Sequence, residues 1–586
     1  MTNGEVAEVF ERIAGLLEMK GEKSFTVRAY QRAARTINRL PSEAADMIAR
    51  GEDLTAVPDI GRAIADKTAE LVDTGRLDFL DRLLAEFPPG IPALMDVPGL
   101  GPKTTLRIWK ELNVTDLDQL EAAIETGALA SLPRMGRKSA ENILRAVRYS
   151  RSKSGRLPIS RALATARQLT GALVERCPDG INVIPCGGIR RFEEEVDEIV
   201  LVGVTSSPGI VLDAFSTLSG VANVVARQDT NATVELESGV NVTLSVVAPE
   251  SKGAAILNLT GSSDHISLLS QRAAELGLKL SQRGLADRSS GAPETFPDEQ
   301  SLYDRLGLPY MPPEVRQGRD EIAVALSGDI ARLVDLYDIK GDLHAHTDWS
   351  DGRDPMIAMV QEAKNRGLEY IAITDHSSGR GIANGLSPER LLAHMSQVKE
   401  VEQEIGGIRV LRGTEMDIRA DGTLDYSDDL LQQLDWVVAS VHSAMGQDST
   451  TMTDRIIAAM KNPHVSAIGH LSTRLIGDRK PIEADYDAVF RAAAVTGTAL
   501  EINGSLERLD LKDLHVERAL EFGAMLVIST DAHTTESLDN LDHGVRVARR
   551  ALCKPVRILN TMPADEFDSW LRLDKTGRTV RLSAND

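Results

Sequence analysis

The chain has 586 residues and a formal net charge of −21, with 42% apolar and 26% charged residues. This length predicts several domains rather than one core, and the ordinary composition excludes a disordered, collagen-like or fibrous chain. The acidic balance disfavours a protein that binds nucleic acid over its whole surface. It still allows a local phosphate-binding surface, and it fits carboxylates gathered around metal ions.

The sequence carries no membrane or disulfide signature. No apolar stretch reaches the ~20 residues that cross a bilayer, and the acidic, amphipathic start of the chain is unlike a signal peptide. The three cysteines, Cys177, Cys186 and Cys553, form no C-x-x-C pair. They predict reduced thiols in a cytoplasmic protein, so any metal site must be built from histidines and carboxylates.

Four regions of the chain differ in their residue pattern. Residues 1–150 place apolar residues at helical spacing, with glycine and proline between the predicted helices. Residues 155–250 change to short β-branched runs between helices, which predicts an α/β unit with a mixed sheet. Residues 251–318 are helical and then loop-rich, and residues 341–586 alternate strand and helix patterns regularly.

Three segments of the first region, 57–67, 97–109 and 132–144, repeat one helix-hairpin-helix pattern. Each has an apolar residue, a proline, two further positions and a glycine before an amphipathic helix. Such a turn points backbone N–H groups at a phosphate diester, which predicts salt-sensitive DNA or RNA binding without base specificity. Ordinary helix packing is the alternative. The predicted contacts are Gly61, Gly99, Gly101, Lys103, Gly136, Arg137 and Lys138.

Six histidines and three carboxylates in the last region end or follow predicted buried strands. In a parallel α/β barrel these strand ends meet at one rim, where sites form. Seven strands can be counted, and one of them (498–505) carries Glu501 and Asn503 instead of a histidine. Isolated histidines packed in the core are the alternative. The nine residues are His344, His346, Asp351, His376, Glu415, His442, His470, Asp531 and His533.

Nine such ligands exceed what one ion needs, so two or three divalent ions sharing a carboxylate are expected, with Mn²⁺, Zn²⁺ and Fe²⁺ all suited to the donor set. Clustered divalent ions favour hydrolysis of phosphate esters. Asp375 precedes a predicted ligand and could support it, and Arg474 is a candidate phosphate contact.

The strand-end motifs H-x-H-x4-D, T-D-H, E-M-D, V-H-S, G-H and D-A-H resemble the PHP (polymerase and histidinol phosphatase) domain. The preceding region resembles a family X DNA polymerase, and residues 302–322 resemble the joining segment of the bacterial members. The resemblance implies a multidomain fold with helical helix-hairpin-helix domains, an α/β nucleotidyltransferase-like palm and a C-terminal seven-stranded (β/α) PHP barrel. The implied boundaries are a lyase-like helical domain (1–88), fingers (89–152), palm (153–250), thumb (251–325), linker (326–337) and PHP domain (338–586).

The same resemblance implies three metal positions and a catalytic role for Glu415, His344 and Asp531. In the family, this PHP domain is similar to a Mn²⁺-favoured 3′–5′ exonuclease, and the resemblance implies the same activity here. Lys67 matches the family's Schiff-base lysine, which implies a lyase activity. The three implied ligand sets are His344, His346, Glu415 and Asp531 for the first position, Glu415, His442 and His470 for the second, and Asp351, His376 and His533 for the third.

The polymerase pattern is broken in the palm segment 187–203. Arg190 is retained, but the family's triphosphate-binding serine is replaced, and no register restores the D-x-D pair that holds two Mg²⁺ ions. We therefore expect nucleotide addition to be weak or lost and no Mg²⁺ in the palm. The degenerate positions are Gly188, Glu198, Val200, Thr243, Asn258 and Leu259.

The leading hypothesis is a bacterial cytoplasmic DNA repair protein, nucleoid-associated when bound. It would be a metal-dependent 3′–5′ exonuclease or phosphodiesterase acting on gapped, nicked or 3′-end DNA without sequence specificity. Three alternatives stay open: an active gap-filling DNA-directed DNA polymerase, a small-molecule phosphatase resembling histidinol-phosphate enzymes, and a non-catalytic DNA scaffold with structural ions.

Overall fold

The computed structural model describes residues 3–578 apart from 39, 41–42, 96, 98–99, 130–131, 133–134, 136–139, 141–142, 144–155, 178–179, 288–292, 380–382 and 576. Two compact units divide the chain, Met1–Gly155 and Arg156–Asp586. The finer domain boundaries stay predictions. Within the described ranges, no helix is both long and apolar enough to cross a bilayer.

The first unit is helical, as the spacing predicts. Val6, Phe10, Ile13 and Leu17 recur on one face of its first helix and are all buried. The first hairpin segment is described in full, and the second is described except for residues 98–99, which include Gly99. Gly136, Arg137 and Lys138 of the third segment lie outside the described residues. The helices are α1 (Asn3–Lys20), α2 (Ser24–Ile37), α3 (Ala44–Ala49), α4 (Arg62–Thr74), α5 (Asp78–Leu84), α6 (Ile91–Met95), α7 (Pro102–Leu112) and α8 (Leu117–Glu125).

The second unit begins with a palm-like α/β region. Its five-stranded sheet has the order β2-β4-β7-β6-β5, with β4 and β7 parallel and the other pairs antiparallel. This is the predicted mixed sheet. The strands are β1 (Leu157–Pro158), β2 (Asn182–Cys186), β3 (Glu195–Val196), β4 (Ile199–Val204), β5 (Val221–Arg227), β6 (Asn231–Leu236) and β7 (Asn241–Val247), and the helices are Ile159–Arg176, Gly187–Arg190 and Pro208–Ser216.

A smaller thumb-like region follows, with its own core around Leu257, Leu269 and Tyr303. It includes a three-stranded antiparallel sheet of β8 (Leu278–Ser281), β9 (Gly284–Asp287) and β10 (Pro293–Glu294). The sequence did not reveal these strands because they are short and rich in glycine and polar residues. The helices are Lys252–Thr260, Ser263–Glu275, Glu299–Arg305 and Glu321–Leu326.

The last region is the predicted seven-stranded parallel sheet, curled into a near-barrel. Its strands pair in chain order from β11 to β17, and an Ala345–Ala532 bridge links the first strand to the segment after the last. Their residues are almost all buried, as expected for a sheet covered on both faces. The strands are β11 (Gly341–Ala345), β12 (Tyr370–Ile373), β13 (Arg409–Asp417), β14 (Trp436–Ser440), β15 (Ala467–Ile468), β16 (Ala499–Asn503) and β17 (Leu526–Ser529).

Helices surround the sheet and one of them contacts the residues that fill its interior. Tyr370 and Trp436 belong to an interior cluster that also contains Phe567 and Trp570 of the last helix, and the Tyr370 and Phe567 rings stack at 4.6 Å. The amino ends of the strands are therefore packed against apolar side chains. The polar side chains of the barrel lie at the carboxyl ends of the strands. The helices are Met356–Asn365, Pro388–Ile405, Asp428–Leu431, Ser449–Lys461, Tyr486–Thr496, Asp513–Glu521, Asn540–Arg550 and Ala564–Leu571.

Candidate metal centre and nucleic-acid interface

All nine predicted ligand residues lie at the carboxyl ends of the barrel strands. His344 and Glu415 lie inside β11 and β13, and the others follow the end of a strand by one to six residues. Because parallel strands bring these ends to one rim, the structure gathers side chains that are spread over 190 positions of sequence. Close groupings are His344, His346 and Asp531; His376, Glu415 and His442; and His346, Asp351, His376 and His533.

Glu415 is at the centre of this cluster, because both of its carboxylate oxygens face histidines. Its Oε1 lies 2.9 Å from His470 Nε2 and 3.1 Å from His442 Nε2. Its Oε2 lies 2.8 Å from His376 Nδ1 and 3.6 Å from His344 Nε2. A carboxylate in this position can bridge two ions.

Asp351 and Asp531 each form a further group. Asp531 Oδ1 is 3.3 Å from His346 Nε2, and Asp351 is 3.4 Å from both His376 Nε2 and His533 Nε2. The contacts cross between the predicted ligand sets, which stay predictions. His376 of the third predicted set also faces Glu415. His346 faces Asp531 with one ring nitrogen and Asp351, at 3.8 Å, with the other.

The charges of the cluster favour anionic carboxylates beside imidazoles. Burial would raise the pKa of the Glu415 carboxyl, but the surrounding imidazoles, that of His442 first, hold this pKa well below its usual range. Asp531 and Asp351 follow the same pattern, since neighbouring histidines lower the pKa of each carboxyl against the effect of burial. Burial, helped by the Arg508 charge, lowers the pKa of His470 to about 4, which keeps this imidazole in its neutral, metal-binding form.

The cluster fits divalent ions by a further criterion, the hydrogen bonds that its buried atoms lack. Buried polar atoms are nearly always hydrogen-bonded, because leaving them unpaired costs free energy. Ligand atoms around one ion at about 2.1 Å lie roughly 3.4 Å apart, and the facing ligand atoms here lie between 2.8 and 3.8 Å apart. Among the described residues, these buried atoms have no hydrogen bond of acceptable geometry: His344 Nε2, both His346 ring nitrogens, His376 Nδ1, both Glu415 oxygens, His442 Nε2 and His470 Nδ1.

Two further carboxylates orient ligand imidazoles. His344 Nδ1 donates to Glu501 Oε1 at 2.6 Å, and His442 Nδ1 donates to Asp417 Oδ1 at 2.5 Å. Each bond fixes the tautomer and turns Nε2 toward the cluster. From the sequence, Glu501 was noted only as a residue of the strand that lacks a histidine, and no contact with His344 was predicted. Asp417 could have been found from its spacing, because it lies two residues after Glu415 and so on the same side of β13.

We expect Asp417→Asn to lower metal affinity and metal-dependent hydrolysis about 10-fold, because the amide keeps a hydrogen bond to His442 but loses the charge that makes the imidazole a better ligand. Metal titration and hydrolysis rates measure this. Asp421→Asn is the matched control, since Asp421 lies in an exposed turn after the same strand and bonds only to Thr423 among the contacts described for its side chain. Equal affinities in the two variants would contradict the assignment.

Asp375 and Arg474 make contacts other than those suggested from the sequence. Asp375 accepts hydrogen bonds from Thr347 N (2.9 Å), Ser350 Oγ (2.5 Å) and His394 Nε2 (2.9 Å). It therefore holds the loop that leads to Asp351 and does not touch a ligand imidazole through a described hydrogen bond.

Arg474 is not free to bind phosphate, which corrects the sequence hypothesis. Its Nε donates to Arg508 O at 2.8 Å, its Nη2 to Leu509 O, and its Nη1 pairs with Glu194 at 2.8 Å. Instead, Arg508 Nε lies 3.4 Å from Asp531 Oδ2, and its buried Nη1 has no hydrogen-bond partner among the described residues. Arg508 could not be identified from its sequence pattern, because it lies in an irregular loop after β16.

The degenerate polymerase positions lie side by side in the palm sheet. Val200 on β4 is the register partner of Thr243 on β7, and the Thr243 hydroxyl donates to Glu198 Oε2 at 3.3 Å. Arg190 forms a two-pronged ion pair with Glu299 at 2.9 and 2.6 Å. In the thumb-like region Asn258 ties its helix to β8 through Ser281 O, and Leu259 packs against the palm core.

The described hairpins place their glycines at helix starts. Gly61 and Gly101 are the N-caps of α4 and α7, both with extended backbone angles that any residue can adopt. A Cβ added at either glycine would meet only open space. Neither local conformation nor packing therefore requires glycine there. Lys103 is exposed and lies 3.3 Å from Glu18.

Lys67 lies on α4, half-buried, with its ammonium 5.0 Å from the centre of the Phe79 ring. Its Nζ also lies 3.4 Å from Ala63 O. The lyase role that the resemblance implies for Lys67 stays a prediction.

Family models match four parts of the chain. A helix-hairpin-helix domain matches residues 1–77, and a SAM-like helix-hairpin-helix tandem matches residues 91–148. The DNA polymerase beta thumb matches residues 255–317, and the PHP domain matches residues 342–505. With the parallel near-barrel and its histidine–carboxylate cluster, these matches define a PHP-domain protein that also carries helix-hairpin-helix and polymerase-like regions.

Relatives extend the match to the whole chain. The chain is 35% identical over 574 residues to the DNA polymerase/3′-5′ exonuclease PolX of Bacillus subtilis (strain 168), covering 98% of this chain and 100% of that protein. It therefore belongs to the bacterial PolX family, which confirms the resemblance. A probable phosphatase of Syntrophotalea carbinolica is 30% identical over 37% of this chain and 90% of its own length, and one of Shewanella sp. (strain MR-4) is 32% identical over 38% and 87%.

Proposed function

We propose that this protein is a metal-dependent 3′–5′ exonuclease or phosphodiesterase that acts on DNA ends, with nucleotide addition weak or lost. The observation that carries the proposal is the convergence of nine histidine and carboxylate side chains on one barrel rim, around Glu415. We assign these nine residues as the ligands of two or three divalent ions, Mn²⁺ or Zn²⁺ first and Fe²⁺ as a third choice.

Divalent ions in this cluster would supply an activated water and offset the charge of the attacked phosphate. The protein's own residues provide the rest of the arrangement. Glu501 and Asp417 hold His344 and His442 in the tautomer that faces the cluster. We assign the Arg508 guanidinium to bind a phosphate oxygen of the scissile bond. It lies beside Asp531, and its Nη1 has no hydrogen-bond partner among the described residues.

DNA is the partner that the first unit fits, bound through its backbone and without sequence specificity. No contact within the protein requires glycine at the starts of α4 and α7. A DNA phosphate that approaches the helix N-terminus would explain the absence of a side chain at these positions. A cavity of about 520 Å³ lies at the first hairpin, lined in part by Arg32, Pro58 and Gly61. We assign Gly61, Gly101 and Lys103 to this contact, together with Gly99, Gly136, Arg137 and Lys138, which lie outside the described residues.

We expect the double variant Gly61→Asp, Gly101→Asp to weaken DNA binding at least about 10-fold, because the added carboxylates repel phosphate. Aspartate is a good N-cap, so the helices should stay folded. Affinity is measured by fluorescence anisotropy on a recessed duplex. Gln119→Glu on α8 is the control for an added charge on the same unit, and equal affinity in the double variant and the wild type would refute the hairpin contact.

Loss of nucleotide addition is supported by what occupies the palm. Two Mg²⁺ ions about 4 Å apart need several carboxylates, whereas Glu198 is joined here by Val200 and Thr243. A threonine hydroxyl and an apolar side chain cannot hold a dication, so we expect no Mg²⁺ in this region.

The space beside Gly188, the family's triphosphate-binding position, is narrow. A Cβ added there would lie 2.6 Å from Glu193 Oε2 and 2.7 Å from Val196, so the family's serine would require these side chains to shift. The Glu193 carboxylate is held there by Arg191, with contacts of 3.0 and 2.7 Å. A carboxylate at this point repels a triphosphate.

A primer-extension assay with Mg²⁺ or Mn²⁺ tests the palm proposal, and we expect no extension above the background of a heat-inactivated sample. Extension by the wild type that Glu198→Gln abolishes would refute it and would support the alternative of a gap-filling polymerase. Extension of the primer and its 3′ digestion are read on the same gel, so the two activities are measured together.

Digestion of a 5′-labelled, 3′-recessed duplex with added Mn²⁺ tests the nuclease proposal. We expect stepwise shortening by the wild type and a rate at least about 100-fold lower for His344→Ala. His464→Ala is the matched control, because His464 precedes β15 at the opposite end of the barrel strands. Equal rates for wild type and His344→Ala would overturn the proposal.

A small-molecule phosphatase is the second candidate, and the probable phosphatases among the relatives favour it. The two hypotheses differ in substrate preference. The helix-hairpin-helix unit has no use in hydrolysis of a small phosphate monoester, so we expect the recessed duplex to be preferred over histidinol phosphate in kcat/KM. A reversed preference would support the phosphatase.

A further inference from the structure

Residues 191–194, here called the docking segment, follow the degenerate polymerase motif directly and contact the barrel at three points. The Arg191 carbonyl accepts a hydrogen bond from Arg550 Nη1 at 2.7 Å. Phe192 is 2% exposed and stacks on His543 with ring centres 5.5 Å apart. Glu194 Oε2 pairs with Arg474 Nη1 at 2.8 Å.

The backbone of the docking segment supports an anchoring role. Phe192 has a φ of 58°, in the left-handed region that a bulky residue rarely adopts. Such strain persists only where surrounding contacts offset it. The stack on His543 and the Arg546 guanidinium, 5.6 Å from the Phe192 ring, provide those contacts.

On the barrel side, Arg474 connects the docking segment to the loop that carries Arg508. Arg474 follows the candidate ligand His470 by four residues, and it donates to the carbonyls of Arg508 and Leu509. Asp510 strengthens the same junction, because its Oδ2 accepts from both the backbone nitrogen and the hydroxyl of Ser472 at 2.9 Å.

The loop in turn places Arg508 at the metal cluster. Arg508 Nε lies 3.4 Å from Asp531 Oδ2, and only 16% of its side chain is exposed. An unbroken series of contacts therefore runs from the palm through Glu194 and Arg474 to a guanidinium at the candidate active site.

We propose that the palm-like region has become a positioning partner of the phosphodiesterase site, acting through Glu194 and Arg474 on Arg508. This inference rests on the proposed function. Glu194 and Arg474 are positioning residues, and Arg508 is the group that touches the substrate phosphate. The role explains why the palm keeps a well-packed sheet although its polymerase carboxylates are absent.

Glu194→Gln tests the proposal, because it keeps the side-chain shape and removes the charge that pairs with Arg474. We expect kcat to fall about 10-fold on both the recessed duplex and thymidine 5′-(4-nitrophenyl phosphate), with DNA affinity unchanged. The small ester has no DNA to bind, so a loss there reports on the site itself. Glu194→Asp should recover part of the loss.

Asp197→Asn is the matched control. Asp197 lies three residues away and pairs with Arg156 at 2.8 Å on the palm surface, where both side chains are exposed. We expect wild-type rates from it. In the double variant Glu194→Gln, Arg474→Gln, the loss should be no greater than in Arg474→Gln alone, because both residues act through one series of contacts.

Hydrogen exchange gives a readout that needs no activity. We expect Glu194→Gln, but not Asp197→Asn, to speed amide exchange in residues 505–511. Wild-type kcat on both substrates together with unchanged exchange would overturn the inference, and so would a loss confined to DNA with weaker DNA binding. A wild-type chain inert toward both substrates would instead contradict the proposed function, and the exchange result would then decide the coupling alone.

Discussion

Replacing Glu415 with glutamine is expected to lower metal-dependent DNA digestion at least about 100-fold. Both Glu415 oxygens face candidate ligand imidazoles, four of them within 3.6 Å. The amide would turn an N–H group toward this cluster in place of an acceptor and would remove the negative charge that offsets bound cations. Digestion of the 5′-labelled recessed duplex measures the effect.

Two controls make the Glu415→Gln result specific. Glu404→Gln changes an exposed residue at the end of the helix Pro388–Ile405 and should leave the rate unchanged. Binding to the recessed duplex, which we assign to the first unit, should also be unaffected. A variant rate within about twofold of the wild type would show that Glu415 holds no catalytic ion.

Removing divalent ions should destabilise the second unit. The cluster buries the Glu415 carboxylate and several ring nitrogens without hydrogen bonds among the described residues, and bound cations would offset that cost. Each ion present at 100 times its dissociation constant contributes about 2.7 kcal/mol to stability. For a unit of this size that holds two or three ions, we expect chelation to lower Tm by roughly 6–9 °C, as measured by differential scanning calorimetry before and after dialysis against a chelator.

The matched sample for the chelation experiment is Glu415→Gln, whose Tm should respond much less to the same treatment. Adding Mn²⁺ or Zn²⁺ back should restore the wild-type Tm. If the wild type keeps its Tm while elemental analysis shows that all divalent ions have been removed, the cluster does not bind them and its buried ligands are stabilised in another way.

The barrel, and the strand ends at which the nine candidate ligand residues lie, could be predicted from the sequence because local patterns carry that information. A buried parallel strand is a continuous apolar run, and a histidine or acid at its end shares a rim with every other strand end. Glu415 illustrates this, since the strand pattern alone placed it at the same rim as His344 and His533. The palm's missing carboxylates were likewise visible in the sequence, in the segments 187–203 and 242–247, once compared with the family pattern.

The supporting contacts could not be predicted because they join positions far apart in sequence. Glu194 and Arg474 are 280 residues apart, and neither has a neighbouring pattern that identifies its partner. Arg474 follows a strand that carries a candidate metal ligand, and for that reason it was a candidate phosphate contact. Its guanidinium instead donates hydrogen bonds to Arg508 O, Leu509 O and Glu194, and Arg508 is the arginine that lies beside Asp531. Glu193 filling the space next to Gly188 likewise depends on how a loop folds back, which residue types do not reveal.

Anomalous diffraction from crystals grown with Mn²⁺ shows whether the nine residues bind divalent ions. We expect two or three anomalous peaks within one rim site, each within about 2.3 Å of nitrogen or oxygen atoms from the nine residues, with Glu415 shared between two of them. Crystals that bind Mn²⁺ only elsewhere, or whose nine side chains surround no anomalous peak at saturating Mn²⁺, would contradict this expectation.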